Sequence, residues 1–288
     1  MNRCLAFVLG GGGARGALQL GALRALLYAG IRPDLLVGTS IGAVNATGLA
    51  LWGPDLSGLE TLEWVYQEIW DYELMDPKVG RVALRAALGG PNKDASARVA
   101  DVLIASGITP DVRFDQAWVR LAVVGTNLDT GQPVIYGQDP SQSVYDGLLA
   151  SIAVPPWFAP VEKGGEIIID GGVVSNLPIE AAVTLGATEI IALDLDDPRP
   201  APGIHPPLDQ FLDKLLFTVT QRQKHLETAL AEARGVPVRC LELRGPRATP
   251  LWDFGNYKDL IQIGYEIGCR KIAEWANSDD APFSPEEP

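Results

Sequence analysis

The chain of 288 residues is 47% hydrophobic and 20% charged, a composition typical of a soluble globular protein that buries a sizeable core. Its formal net charge of −13 creates a negative field that repels nucleic acid phosphates, so no nucleic acid partner is expected. Its three cysteines are too few for a disulfide framework and lack the paired spacing of a zinc site.

The first two predicted strands each lead through a glycine-containing turn into a helix. Residues 4–9 form a short apolar run that ends in glycines, which predicts a buried strand, and residues 17–29 repeat leucine at helical intervals. Residues 35–37 predict a second buried strand, followed at once by Gly-Thr-Ser-Ile-Gly at 38–42 and a helix of small residues over 43–51.

An amphipathic helix rich in aromatic residues is predicted over 59–70. Its aromatic side chains, with two more further along the chain, either line an apolar pocket for an acyl chain or belong to the ordinary core, and the sequence leaves both interpretations open. These residues are Trp64, Tyr66, Trp70, Trp157 and Phe158.

Four further strands are predicted before residue 200. Residues 120–126 and 133–136 flank a turn and predict a strand pair, and residues 166–169 predict a buried strand that ends at Asp170-Gly171-Gly172. A helix capped near Asn176 follows, and then a strand over 188–195. Because strands alternate with helices, we expect an α/β fold with a mainly parallel sheet covered on both faces.

The stretch 196–207, which is rich in Asp and Pro, predicts a domain boundary. We expect residues 1–200 to form the catalytic domain and residues 201–277 to form a mostly helical extension packed on it. The acidic, Pro-rich tail at 278–288 is expected to be disordered.

Two features of the sequence indicate a cytoplasmic protein. The apolar run at 4–9 is too short for a secretory signal and breaks into glycines and Arg15. No stretch approaches the roughly 20 continuous apolar residues of a spanning helix. We therefore expect any contact with a membrane or micelle to be peripheral.

Ser40 is the first candidate for chemistry, because it lies between Gly38 and Gly42 on a tight turn from strand to helix. Small neighbours let such a turn adopt a strained bend that exposes the serine hydroxyl, and the dipole of the following helix favours negative charge at this point. The alternative is that Ser40 simply caps the helix.

The glycine run ending in Arg15 is the second candidate, since consecutive backbone N–H groups can form a concavity that holds an oxyanion. Gly11, Gly13 and Gly16 also satisfy a dinucleotide-binding pattern, but the second strand does not end in the acidic residue which that pattern requires. A nucleotide P-loop is excluded, because no Gly-Lys-Ser/Thr ending is present. A purely structural turn is the remaining alternative.

Asp170 is the best candidate for the base that a serine nucleophile needs. It ends an apolar strand and is followed by two glycines, whereas neither of the two histidines, His205 and His225, follows a strand. In isolation, Asp170 could equally be a turn or capping carboxylate.

In this order, the three segments resemble the patatin-like phospholipase family, whose members share a glycine-rich oxyanion loop, a Gly-x-Ser-x-Gly elbow and an Asp-Gly-Gly/Ala motif. The stretch Ala-Ser-Ile-Ala-Val-Pro-Pro-Trp-Phe-Ala-Pro at 150–160 is also similar to a family stretch. The resemblance implies a three-layer α/β/α sandwich and acyl-ester hydrolysis by a Ser–Asp dyad without histidine. It does not cover the carboxyl-terminal third.

We therefore expect a lipid or small-molecule ester to be cleaved by Ser40 with Asp170 as base. Gly11, Gly12, Gly13 and Arg15 would form the oxyanion site, and no metal or organic cofactor is needed. An acyltransferase with the same dyad and a non-catalytic lipid-binding protein are the alternatives. The sequence leaves the acyl chain, the head group and the oligomeric state open.

Overall fold

The computed structural model describes residues 3–72, 75, 93–199 and 207–277. The strands are β1 Leu5–Leu9, β2 Leu35–Thr39, β3 Arg120–Asn127, β4 Gln132–Tyr136, β5 Val161–Lys163, β6 Glu166–Asp170, β7 Glu189–Asp194 and β8 Val238–Glu242. The helices are α1 Ala17–Tyr28, α2 Ile41–Trp52, α3 Leu56–Asp71, α4 Lys93–Ala105, α5 Val144–Ser151, α6 Ile179–Thr184, α7 Pro207–Ala233 and α8 Tyr257–Ala276.

The strands form one eight-stranded sheet in the order β5-β6-β3-β2-β1-β7-β8. Both β6 and β2 pair with one edge of β3, and β4 pairs with its opposite edge. All neighbours from β8 to β3 are parallel, and the three pairs that involve β4, β5 and β6 are antiparallel. The predicted α/β class with a mainly parallel central sheet is therefore confirmed.

Helices cover both faces of this sheet, which explains why its central strands are apolar along their whole length. In β1, Phe7 and Leu9 face the larger core, which also contains side chains of α1 to α5 and α8. Ala6 and Val8 face the second core, which contains residues of α6 and Ala231 of α7. The molecule is thus a three-layer α/β/α sandwich, as the resemblance implied.

The ends of β2 and β6 meet along one edge of β3. Thr39 at the end of β2 pairs with Val124, and Asp170 at the end of β6 pairs with the next residue of β3, Gly125. Since β4 occupies the opposite edge of the same stretch, β2 and β6 approach each other head-on. This register brings Ser40, the residue after β2, next to Asp170.

The carboxyl-terminal elements pack on the same cores. β8 extends the sheet beyond β7, and α8 crosses α1 at glycines. A Cβ on Gly21 or Gly264 would collide with the backbone of the other helix, so this close crossing requires glycine. Residues 200–206 of the expected boundary and the predicted tail at 278–288 lie outside the described residues. Within the described residues, no helix combines the length and apolarity needed to span a membrane.

Candidate active site

Ser40 lies on a strained turn between β2 and α2. Its φ of 56° makes it the one non-glycine residue with positive φ in the described part of the chain. A Cβ on Gly42 would collide with the carbonyl oxygens of Leu9 and Gly10, and a Cβ on Gly38 would collide with the backbone of Ala43. The small flanking residues therefore permit the bend, and strain of this kind concentrates at functional sites.

The side chain of Ser40 does not cap α2, which contradicts the capping alternative. Its backbone N–H instead donates to Ser151 Oγ at 3.1 Å, and Ser151 Oγ donates to the carbonyl of Val124 at 2.6 Å. The preceding residue, Thr39, is held by a 2.9 Å hydrogen bond from its hydroxyl to the carbonyl of Ser175. The backbone of the turn is thus fixed while the Ser40 hydroxyl is not used for capping.

Asp170 is buried at the end of β6. Its Oδ1 accepts the N–H of Gly172 at 2.7 Å, whereas Oδ2 is buried without a close hydrogen-bond partner among the described residues. Burial raises the pKa of this carboxyl to about 6, although the Ser40 side chain and the Gly172 N–H both lower it. Asp170 therefore offers an uncommitted oxygen, next to Ser40, with a pKa suited to accepting a proton near neutral pH.

The glycine loop lies directly against Ser40, since a Cβ on Gly11 would be 3.1 Å from the Cβ of Ser40. The N–H of Gly11 donates to the carbonyl of Asn176 at 3.0 Å, so this predicted oxyanion donor already has an acceptor. The N–H groups of Gly12 and Gly13, by contrast, make no hydrogen bond within the described residues. Of the three glycines in the predicted oxyanion site, Gly12 and Gly13 are therefore the two whose N–H groups are available to bind an oxyanion.

Arg15 holds the same loop by two hydrogen bonds. Its backbone N–H and its side-chain Nε both donate to the carbonyl of Gly12, each at 3.2 Å. A Cβ on Gly13, whose φ is +54°, would collide with the carbonyl of Leu251. The loop conformation therefore depends on glycine at this position and on the two hydrogen bonds from Arg15.

The predicted aromatic residues do not share one environment. Tyr66 is fully buried and donates its hydroxyl to Asn45 Oδ1 at 3.2 Å, while Trp64 and Trp70 are exposed. Trp157 is buried and stacks on Trp252. Tyr66 thus belongs to the core, as one of the two interpretations held. Of the histidines, His225 is exposed on α7 and His205 lies outside the described residues.

Asn176 was predicted to cap a helix, and that prediction is wrong. α6 begins at Ile179 with Pro178 as its N-cap residue, and no side chain caps it. The Asn176 amide nitrogen instead donates to Gly11 O at 3.5 Å and to Asp196 Oδ1 at 3.2 Å. In the sequence, Asp196 stands out only as part of the predicted domain boundary, and nothing local indicates its contact with the glycine loop through Asn176.

Comparison with known proteins places this geometry in context. A family model described as patatin-like phospholipase matches residues 7–183. The chain is 26% identical to patatin-like phospholipase domain-containing protein 7 of Mus musculus over 96% of this chain and 21% of that protein. It is 26% identical to lysophospholipase nte1 of Aspergillus terreus over 99% of this chain and 19% of that protein. The chain thus spans about a fifth of the length of these relatives.

Among solved structures, the crystal structure of VipD from Legionella pneumophila is similar, with a TM-score of 0.46 and 15% identity over 93% of this chain and 66% of that chain.

Proposed function

The chain belongs to the patatin-like phospholipase family, and we propose that it hydrolyses lipid or related carboxylic esters with Ser40 as nucleophile and Asp170 as base. The observation that carries the proposal is the head-on meeting of β2 and β6. It brings a strained serine next to a buried carboxylate that has one uncommitted oxygen. The glycine loop with two unused N–H groups lies against the same serine.

In the first step, Asp170 accepts the proton of the Ser40 hydroxyl while Ser40 Oγ forms a bond to the ester carbonyl carbon. The pKa of about 6 supports this role, because the carboxylate is ionised at neutral pH yet basic enough to take a proton. Desolvation in the buried site is the main reason for that pKa. The proton then passes from Asp170 to the leaving alcohol as the ester C–O bond breaks.

The negative charge that develops on the carbonyl oxygen is stabilised by the N–H groups of Gly12 and Gly13. Loss of one such donor typically costs on the order of 10²–10³ in rate. The amino-terminal end of α2, which begins at Ile41 directly after the nucleophile, adds a favourable dipole. In the second half of the reaction, Asp170 accepts a proton from a water molecule, whose oxygen forms a bond to the acyl carbon. The bond between that carbon and Ser40 Oγ then breaks, the acid is released, and the proton passes from Asp170 to Ser40 Oγ.

The substrate class is proposed from the relatives, whose names include phospholipase and lysophospholipase. These relatives are about five times longer than the matched region, so the proposal concerns the class of bond cleaved. The net charge of −13 disfavours binding to anionic bilayers. We therefore propose that monomeric or micellar lysolipids and other single-chain esters are hydrolysed at least as readily as bilayer phospholipid, through peripheral contact.

The proposal is tested by labelling with a fluorophosphonate and by release of free acid from p-nitrophenyl esters and a lysophospholipid. Wild type should be labelled at Ser40 and should release acid, whereas Ser40→Ala should lose the label and at least about 10³-fold in kcat. Asp170→Asn should retain its fold and lose kcat on a similar scale.

Two outcomes would contradict the proposal. Equal labelling of wild type and Ser40→Ala would remove the nucleophile assignment, and full turnover in Asp170→Asn would remove the base. The same assays with an added alcohol or thiol acceptor distinguish the competing chemistry, since predominant acyl transfer over free acid would indicate an acyltransferase.

A further inference from the structure

Each of the two unused N–H groups in the glycine loop belongs to a peptide unit whose carbonyl is held from the other side. The carbonyl of Gly11 accepts the Asn176 amide at 3.5 Å. The carbonyl of Gly12 accepts two hydrogen bonds from Arg15 at 3.2 Å. In a planar trans peptide the C=O and the following N–H point in opposite directions. Holding Gly11 O therefore aims the Gly12 N–H, and holding Gly12 O aims the Gly13 N–H.

Asp196 is hydrogen-bonded to the first of these two holding residues, Asn176. Its Oδ1 accepts the same Asn176 amide nitrogen at 3.2 Å, so a single Nδ2 links the carboxylate to the glycine loop. The positive charge of Arg15 acts on Asp196 as well and lowers the pKa of its carboxyl, against the larger effect of burial, which raises it. The same carboxylate thus holds Asn176 by a hydrogen bond and has a charge of opposite sign to that of Arg15.

Asp196 is itself fixed by contacts from several elements. Its Oδ2 accepts Gln221 Nε2 of α7 at 3.0 Å, and its N–H donates to Asp194 Oδ1 at 3.0 Å. Its carbonyl accepts Arg244 Nε at 3.2 Å, and Asp194 in turn pairs with Lys224 of α7 at 2.8 Å. Asp196 is 8% exposed. Burying a carboxylate is costly unless it is fully hydrogen-bonded, and both oxygens of Asp196 are hydrogen-bonded, unlike those of Asp170.

We propose that Asp196 is a positioning residue for the oxyanion loop, acting through Asn176 and Arg15 to aim the N–H groups of Gly12 and Gly13. This inference rests on the proposed function and extends it, because it assigns the preorganisation of the oxyanion site to a residue outside the three motifs. Asp196 does not touch the reacting atoms. Its removal therefore lowers transition-state stabilisation and leaves substrate binding intact.

The test compares Asp196→Ala with Glu189→Ala, a matched change of a carboxylate at the start of β7, the strand that ends two residues before Asp196. Glu189 pairs with Arg3 and Arg239 and has no contact with the glycine loop. We expect Asp196→Ala to lower kcat on a soluble ester about 10- to 100-fold with KM changed less than about threefold. Glu189→Ala should keep both constants within about twofold of wild type.

The rate of Ser40 phosphonylation by the fluorophosphonate should fall by a similar factor, because the phosphoryl oxygen develops charge at the same donors. Asn176→Ala should reproduce the loss, and the double variant Asn176→Ala/Asp196→Ala should lose little more than the stronger single variant, since both act on one element. The isosteric Asp196→Asn keeps an acceptor for Asn176 and loses the charge near Arg15. It should lose about three- to tenfold and is the deciding variant where Asp196→Ala does not fold.

A readout in the resting protein separates failure of this inference from failure of the proposed function. In protein labelled with ¹⁵N-glycine, the Gly12 and Gly13 amide resonances should shift or broaden in Asp196→Ala and stay unchanged in Glu189→Ala. If the wild-type protein does not hydrolyse esters, the proposed function is overturned, and the amide resonances still test the role of Asp196. Unchanged amide resonances, unchanged kcat in a folded Asp196 variant, additive losses in the double variant, or a rise in KM without a fall in kcat would each overturn the role of Asp196.

Discussion

Charged side chains have different environments at the two ends of the parallel strands of the central sheet, which we call its amino edge and its carboxyl edge. At the amino edge, the carboxylate of Asp34 accepts the N–H of Leu5 at 2.7 Å, and Glu189 at the start of β7 pairs with Arg3 and Arg239. These are ordinary partners near the surface. At the carboxyl edge, Asp170 and Asp196 are buried, and burial raises the pKa of each.

Backbone strain follows the same division. The residue with positive φ that is not glycine, among those described, is Ser40 at the carboxyl edge. Both strain and the burial of carboxylates disfavour folding, so their concentration at one edge requires that the rest of the sheet supply the stability. In an open α/β sheet, ligands collect at the carboxyl ends of the strands. Burial of carboxylates and backbone strain therefore both favour the carboxyl edge as the functional side of the sheet, independently of any motif.

Several variants test the difference between the two edges, and the largest effect among them is expected from Gly11→Ala at the carboxyl edge. Its Cβ would lie 2.5 Å from Asn176 Oδ1 and 3.1 Å from Ser40 Cβ, so either the loop or the nucleophile must move. We expect kcat on a soluble ester to fall by about 10²-fold or more, with the fold retained by circular dichroism. The control is Gly245→Ala, whose Cβ would make only ordinary contacts, 3.4 Å or longer. Equal kcat in the two variants would show that the loop does not take part.

The pH dependence of activity is the next effect in size. The pKa of Asp170 is raised to about 6 by burial, and a base acts only when ionised. For an uncharged ester, kcat/KM should therefore rise with pH, reach half its maximum near pH 6 and be about tenfold lower at pH 5. A pH profile from 4 to 9 measures this.

A second buried carboxylate provides the control for that profile. Glu227 of α7 accepts hydrogen bonds from the Ser175 hydroxyl at 2.7 Å and the Glu180 N–H at 2.8 Å, and burial raises its pKa to about 7. Because Glu227 plays no part in the proposed chemistry, Glu227→Gln should leave the midpoint near 6. A midpoint near 4 in wild type, or one that moves in Glu227→Gln, would contradict the assignment of the base.

The fold class and the choice of Ser40 and Asp170 as candidates follow from the sequence because they depend on local patterns. Each buried strand is a short apolar run, many of the turns carry glycine, and the three motifs that contain Gly11, Ser40 and Asp170 are each continuous in sequence. Because each motif follows a predicted strand in a pattern of alternating strands and helices, the sequence indicates that all three motifs lie at the carboxyl edge of one sheet. The antiparallel direction of β6, which brings Asp170 to Ser40 head-on, was not predictable, since it depends on pairing with β3.

The residues that support the site escaped prediction because their partners are distant in sequence. Ser151 bonds the Ser40 N–H across 111 residues, and Asn176 reaches Gly11 across 165. Asn176 also illustrates a competing principle. An Asn two residues before Pro178 is typical of a helix cap, but here its amide bonds a carbonyl and a carboxylate across the chain. The tertiary hydrogen bonds of Asn176 thus outweigh its local preference for capping a helix.

A smaller effect, of opposite sign to its effect on activity, is expected on stability from Asp170→Asn. The folded-state pKa of about 6 lies above the ordinary value of 3.8, so the folded state disfavours the charged form. The carboxyl is neutral in both states below pH 3.8, and the folded state loses stability as the pH rises through 6. Asn avoids this loss and should raise the free energy of unfolding at pH 8 by about 1–3 kcal/mol. Urea unfolding at pH 8 and pH 4 measures it, and an advantage of equal size at both values would exclude the titration of Asp170 as its cause.

The smallest effect is expected at the amino edge, from Glu189→Gln. The side chain of Glu189 is 13% exposed and pairs with Arg3 at 3.4 Å and with Arg239, whereas the Arg3 side chain is 50% exposed and is screened by solvent. Loss of such pairs typically costs about 0.5–1 kcal/mol. We expect kcat to stay unchanged, because the side chain of Glu189 pairs with Arg3 and Arg239 and not with residues around Ser40. Urea unfolding and ester hydrolysis on the same samples check both expectations. Asp170→Asn should stabilise the protein and abolish activity, whereas Glu189→Gln should destabilise it and preserve activity. If both variants change the free energy of unfolding in the same direction, or both change activity in the same way, the distinction between the two edges is wrong.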